Sequence, residues 1–115
     1  REILPFVPDG ATREGIKKSL TIAQENLTEA ITKLGTGRAV SAQDTVPFCL
    51  WSAAHHLDSF EGALWQTAAG RGDSDTTCAI VGGIVAVAGS RIPQEWTERR
   101  EPLPPGFRIY ADGSA

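Results

Sequence analysis

The sequence predicts an all-α fold, a single bundle of helices, and three observations support that class. Apolar residues recur every three or four positions from 13 to 34, which is the period of an amphipathic helix. A later segment, 77–88, carries no charge and is rich in small residues. Patterns typical of helix starts, together with glycine and proline breaks, separate the remaining apolar stretches. With 115 residues, of which 41% are hydrophobic, the chain has the composition of one globular domain.

The first helix is predicted over residues 13–34, after an extended N-terminal segment, 1–10, that contains two prolines and ends in an Asp-Gly turn. Thr12 is the expected N-cap, and Gly35 stands where a left-handed residue commonly ends a helix. The apolar stripe consists of Ile16, Leu20, Ala23, Leu27, Ile31 and Leu34.

Two further helices are predicted over 45–56 and 59–68. Ser41 and Asp44 have the spacing of a capping box, but the ring of Pro47 clashes with a helical carbonyl four residues earlier. We therefore expect the second helix to begin near residue 45. The third helix follows a similar pattern at Asp58 and Glu61, and its expected core residues are Phe60, Ala63, Leu64 and Trp65.

The fourth helix is predicted to begin at Ser74 or Asp75 and to end near Ala88. Because it is apolar on every side, we expect it in the middle of the bundle, where its small residues allow close helix packing. A short fifth helix begins at Pro93 with Trp96 facing inward. Residues 101–115 form a tail without a regular period.

Composition excludes several function classes. The net charge is −3 with acidic and basic residues interleaved, which argues against a nucleic-acid partner. No run of 18 apolar residues suggests a membrane span, and no signal peptide is visible. Cys49 and Cys78 stand alone rather than in a metal-binding pattern, so we expect free thiols in a reduced cytoplasm.

The densest polar cluster, residues 70–77, lies at the start of the fourth helix. Asp73 and Asp75 allow two interpretations: they cap the helix and favour its dipole, or they join Thr76 in an oxygen-only metal site. Carboxylate and hydroxyl oxygens suit Mg²⁺ or Mn²⁺ and not Zn²⁺. Gly72 would let the backbone approach a ligand closely, and Ser74 lies beside it. Both interpretations remain open on the residues alone.

Residues 72–84, GDSDTTCAIVGGI, followed by 92–96, IPQEW, resemble the C-terminal signature of the ADP-ribosylglycohydrolase family. The segment from Asp44 to Trp65 is similar to the two helices that precede that signature. The resemblance covers roughly residues 35–97. It implies an orthogonal all-α bundle that hydrolyses the bond between ADP-ribose and an arginine or serine side chain.

The resemblance also implies a site with two Mg²⁺ or Mn²⁺ ions, for which Asp73, Asp75 and Thr76 are the metal ligands in this chain. Gly72 and Ser74 are the expected substrate contacts. The family's other ligands lie in an upstream Thr-Asp-Asp motif and a Glu that this sequence lacks. Since it also lacks Met, we expect the whole of 1–115 to be the C-terminal portion of a longer, monomeric enzyme, inactive by itself. Its partner would be an ADP-ribosylated protein or ADP-ribose.

A second hypothesis is a non-catalytic helical module that binds ADP-ribose or has a structural role. Trp51, Trp65 and Trp96 could stack on an adenine, although their helical spacing favours the core. An upstream Thr-Asp-Asp motif in the same gene would favour hydrolysis over binding alone.

Overall fold

The computed structural model describes residues 1–107. Within this range the chain forms a short 3-10 helix, Leu4–Phe6, and six α-helices, with no β-strand, which confirms the all-α prediction. The α-helices are α1 (Ala11–Ser19), α2 (Leu27–Leu34), α3 (Ala42–His55), α4 (Phe60–Ala69), α5 (Ser74–Val87) and α6 (Gln94–Arg99). Residues 108–115 of the predicted tail lie outside the described residues.

Over residues 1–107, each helix is too short or too polar to cross a bilayer.

The N-terminal segment is more ordered than the sequence predicts. The Leu4–Phe6 helix replaces part of the extended segment, and Arg13 donates hydrogen bonds to the carbonyls of Leu4 and Val7, each at 2.6 Å. Gly10, rather than the predicted Thr12, is the N-cap of α1. The arginine thus ties the N-terminal segment to the first turn of α1.

The predicted single helix over 13–34 is wrong, because the chain leaves the helix after Ser19 and resumes it at Leu27. Ile22, which is not on the predicted stripe, is buried in the intervening turn, whereas Leu20 is 43% exposed. The carbonyl of Ile22 accepts a hydrogen bond from the indole N–H of Trp51 at 3.0 Å. The two residues are 29 positions apart in the chain. Their bond satisfies a buried carbonyl that, in a continuous helix, would accept a backbone N–H four residues later.

Helix α3 is the central helix and contacts α1, α2, α4 and α5. It begins at Ala42 with Ser41 as N-cap, so the predicted start near 45 is wrong and Pro47 lies inside the helix. The proline ring is buried against Gly15 of α1, where an added Cβ would lie only 2.5 Å from Pro47 Cγ. Close packing of α1 on α3 therefore accompanies a proline that has no backbone N–H to donate within the helix.

Two apolar clusters form the core. The first joins the turn before α2, α2 itself and α3 through Ile22, Ala30, Leu34, Phe48 and Trp51. The second joins α3, α4 and α5 through Cys49, Ala53, Ala63, Val81 and Val85. Both clusters draw residues from α3, which places this helix between them.

Helix α5 has the predicted extent but not the predicted position. Only one of its faces is buried, whereas Val87 is 91% exposed, so α5 lies at the edge of residues 1–107. The prediction of a central helix is wrong for this chain because α3 supplies the central surface instead.

Helices α4 and α6 begin within one residue of their predicted starts. The cap of α4 is Ser59, whose hydroxyl accepts from the N–H of Gly62 at 3.1 Å, rather than Asp58. Trp65 is 64% exposed, which contradicts its assignment to the core. Trp96 packs edge-to-face on Phe60 with ring centres 6.0 Å apart, as its inward orientation predicts.

Candidate metal centre at the start of α5

Asp73 is the N-cap residue of α5. The carbonyl of Asp73 accepts hydrogen bonds from the N–H groups of Thr76 and Thr77 at 3.1 and 2.9 Å, and from the Thr77 hydroxyl at 3.2 Å. The carboxylate of Asp73 makes no capping hydrogen bond. The side-chain capping that the sequence allowed is therefore not used at Asp73.

The candidate ligands follow one another at this helix start. Asp73 and Ser74 are half-buried, whereas Asp75 and Thr76 are exposed. Within residues 1–107 no ion pair engages the carboxylate of Asp73 or Asp75. Their oxygens are of the type that Mg²⁺ and Mn²⁺ prefer, so the donor chemistry fits these ions.

The number of ligands is smaller than a complete site requires. Residues 1–107 contain no cluster of three or more His, Cys, Asp or Glu side chains that could hold a metal ion. Asp73, Asp75 and Thr76 could thus contribute part of a coordination shell, with water, substrate or other protein residues supplying the rest.

A glycine-containing segment packs directly on this turn; we call residues 35–40 the glycine loop. The N–H of Asp73 donates to the carbonyl of Thr36 at 2.9 Å. A side chain at Gly72 would collide with Thr36, and a Cβ at Gly37 would lie 3.0 Å from the Cβ of Asp73. The glycines therefore let two backbone segments approach closely at Asp73.

The glycine loop is held in turn by the first turn of α3. The N–H of Gly37 donates to the carbonyl of Asp44 at 2.9 Å, and the N–H of Ala39 donates to the Asp44 carboxylate at 2.7 Å. The predicted capping box does not form, because Ser41 makes no side-chain cap and Asp44 bonds to Ala39. Sequence reasoning missed this role of Asp44; the available signal was two glycines two residues apart, shortly before an aspartate.

Backbone strain is concentrated beside the same turn. Val40 and Arg71 have φ angles of 52° and 60°, and they are the non-glycine residues with positive φ within 1–107. Val40 ends the glycine loop, and Arg71 directly precedes Gly72. A positive φ is unfavourable for a β-branched residue such as Val40, and such strain is often retained beside functional sites.

The two cysteines lie behind the turn as free thiols, as predicted. The pKa of Cys49 is raised from 9.0 to about 11, mainly by burial and to a smaller extent by the nearby Cys78. The pKa of Cys78 is also raised, mainly by burial and to a smaller extent by the negative charge of Asp75. Because both pKa values are raised, both thiols are neutral near pH 7, and the Cys49 thiol donates to the carbonyl of Thr77 at 3.8 Å.

The tryptophans differ in their availability to a ligand. Trp51 is buried in the first apolar cluster, with its N–H bound to Ile22. Trp65 is exposed, and its indole N–H donates to Glu61 at 3.3 Å. The core interpretation is therefore right for Trp51 and wrong for Trp65.

Comparisons with known proteins agree with the helical architecture. A family model described as ADP-ribosylglycohydrolase matches residues 1–112. An uncharacterized protein of Archaeoglobus fulgidus is 32% identical over 90 residues, which cover 78% of this chain and 28% of that relative. The chain thus spans little more than a quarter of the relative's length. No solved structure matches the chain.

Proposed function

The chain belongs to the ADP-ribosylglycohydrolase family, a family of glycosyl hydrolases, and on that premise we propose that its protein hydrolyses the bond between ADP-ribose and an arginine or serine side chain. The proposed substrate is an ADP-ribosylated protein. The proposed cofactors are two Mg²⁺ or Mn²⁺ ions. Residues 1–107 would contribute Asp73, Asp75 and Thr76 as ligands, with Gly72 and Ser74 beside the substrate.

The observation that carries the proposal is that the carboxylate of Asp73 does not cap the helix that it precedes. The backbone carbonyl of Asp73 accepts the first hydrogen bonds of α5, as in any helix, while its carboxylate makes no capping bond. An oxygen ligand at a fixed helix start, next to an exposed carboxylate and hydroxyl, is suited to a hard divalent ion. This arrangement supports a ligand role over simple capping for Asp73.

Each residue would have a limited part in the reaction. Asp73 and Asp75 would hold the ions, and Thr76 would add its hydroxyl. The bound ions would supply Lewis-acid chemistry, orienting the ribose hydroxyls and lowering the pKa of an attacking water. The two aspartates would then act as ligands rather than as the acid and base of the common glycosidase mechanism. Ligands from elsewhere in the full-length protein would complete the site.

The test measures Mg²⁺-dependent release of ADP-ribose from an ADP-ribosylated arginine or serine protein by the full-length protein. We expect Asp75→Asn to lower the rate by about 100-fold or more, since loss of a residue that merely supports a ligand already costs 10- to 100-fold. Asp58→Asn is the matched control, because Asp58 is also exposed and precedes a helix that Ser59 caps.

Equal rates for Asp75→Asn and Asp58→Asn would contradict the ligand assignment. Binding of ADP-ribose by the wild-type protein without hydrolysis of either linkage would instead support the non-catalytic alternative. A parallel Mn²⁺ titration of each variant shows whether a lower rate is caused by weaker metal binding.

A further inference from the structure

We propose that Asp44 is a positioning residue for Asp73: it fixes the glycine loop, and the loop fixes the backbone of Asp73 at the start of α5. The inference rests on the proposed function, because it gives Asp44 an effect on the affinity of the metal that Asp73 would bind. Asp44 is not itself proposed as a ligand.

The first step is the attachment of the loop to α3. Asp44 accepts two hydrogen bonds from the loop, one at its carbonyl from Gly37 and one at its carboxylate from Ala39. The loop also lies against the carboxylate itself, because a side chain at Gly35 would collide with it. Asp44 is half-buried, and its carboxylate bond to Ala39 lies at the exposed end of the loop.

The second step leads from the loop to the metal ligand. Thr36 and Gly37 are the loop residues that touch the turn before α5: Thr36 accepts the N–H of Asp73, and Gly37 lies against its Cβ. If the loop shifts, the N–H of Asp73 loses its acceptor and the Cβ loses its neighbouring surface. Both contacts act on the atoms from which the carboxylate of Asp73 extends.

The chemical consequence follows from the demands of the ion. Mg²⁺ and Mn²⁺ require closely defined ligand geometry, so a displaced carboxylate binds them more weakly. Residues that orient a metal ligand typically change metal affinity by 10- to 100-fold when they are removed. We therefore expect Asp44 to affect metal affinity without contacting the ion.

The experiment measures the Mn²⁺ dissociation constant of the full-length protein by calorimetry, with circular dichroism and melting temperature recorded for each variant. We expect Asp44→Ala to weaken Mn²⁺ binding by about 10-fold. Asp44→Asn keeps an oxygen that can accept from Ala39, and we expect an affinity within about threefold of wild type. Glu61→Ala, which removes a first-turn acidic residue from α4, is the matched control and should leave the affinity unchanged.

A double-variant comparison separates positioning from a general structural role. If Asp44 acts through Asp73, adding Asp44→Ala to Asp73→Asn should change Mn²⁺ affinity by less than about twofold. Gly37→Ala tests the same path from the loop side, because its Cβ would press on Asp73. We expect it, too, to weaken Mn²⁺ binding by about 10-fold.

The proposal is overturned if folded Asp44→Ala and Gly37→Ala bind Mn²⁺ like wild type, or if Asp44→Asn loses as much affinity as Asp44→Ala. It is also overturned if the effects of Asp44→Ala and Asp73→Asn multiply in the double variant. Failure of the proposed function has a different signature: Asp73→Asn itself would leave Mn²⁺ affinity and hydrolysis unchanged.

Discussion

At the scale of single residues, the backbone and the carboxylate of Asp73 differ in their contacts. Its N–H donates to Thr36, its carbonyl accepts the first N–H groups of α5, and its carboxylate makes no capping bond. Of the two interpretations that the sequence left open, side-chain capping is not used at Asp73, which leaves its carboxylate available for the proposed ligand role.

Cys49 leads to a prediction of pH-dependent stability. Its pKa is about 11 in the folded protein and 9.0 for an unperturbed thiol, chiefly because of burial. The unfolded chain loses this proton at lower pH than the folded chain, so stability is fully present below pH 9.0 and falls as the pH rises towards about 11. Urea unfolding measured between pH 8 and 11 should show this fall.

The control for this prediction is Cys49→Ala, in which all other titrating groups remain. The unfolding free energy of the variant should decrease less steeply with pH than that of wild type over the same interval. Parallel curves for the two proteins would mean that burial does not impede ionisation of the Cys49 thiol.

At the scale of elements, contacts distant in sequence decide where helices begin and end. The turn at residues 20–26 depends on the bond between Ile22 and Trp51, and α3 accommodates Pro47 where Gly15 leaves space for the ring. In both places the local pattern favours a different boundary. Packing on α3 outweighs local preferences that amount to less than about 1 kcal/mol per ordinary residue at 20–26 and to about 3 kcal/mol for a proline inside a helix.

The element scale also yields a stability prediction for α3. Phe48 is completely buried between α2 and α3, and an added Cβ at Gly70 would lie 2.6 Å from its ring. Phe48→Ala should lower the unfolding free energy by about 3–5 kcal/mol through lost burial and a residual cavity. Phe6→Ala, at a position 87% exposed, should change it by less than about 0.5 kcal/mol. Urea denaturation of both variants tests this, and equal stabilities would contradict the assignment of the core.

The sequence predicts the helical class, the span of α5 and the approximate spans of α4 and α6, because their caps and periods are local. It does not predict the turn at 20–26 or the early start of α3, because Trp51 and Gly15 are remote in the chain. At the candidate site, the pattern predicts Asp73, Asp75 and Thr76 as ligands from their chemistry, whereas the proposed role of Asp44 requires knowledge of where the glycine loop packs.

At the scale of the whole molecule, the uneven burial of α5 is the main feature. One face contacts α3 and α4 and contributes Val81 and Val85 to the core. On the remaining surface, Ile80, Gly83 and Val87 lie at helical spacing and are exposed. After Asp75 the helix carries no charge, and a surface of this kind has a tendency to associate with other apolar surfaces.

We predict that residues 1–115, expressed alone, self-associate through this surface. Sedimentation velocity should show a concentration-dependent increase in mass, and Ile80→Lys combined with Val87→Lys should restore the monomer by introducing two charges. Phe6→Lys is the control, since Phe6 is an exposed apolar residue outside α5. Association that survives the double substitution, or disappears with Phe6→Lys, would assign it to another surface.

The contact between Trp51 and Ile22 also provides an intrinsic optical reporter. Trp51 is enclosed in protein and Trp65 is largely open to solvent, so their fluorescence should differ in wavelength and in access to acrylamide. In a Trp65→Phe, Trp96→Phe background, the emission of Trp51 would report on the turn between α1 and α2 alone. A red shift at denaturant concentrations too low to unfold the helices would reveal the opening of that turn as a separate event.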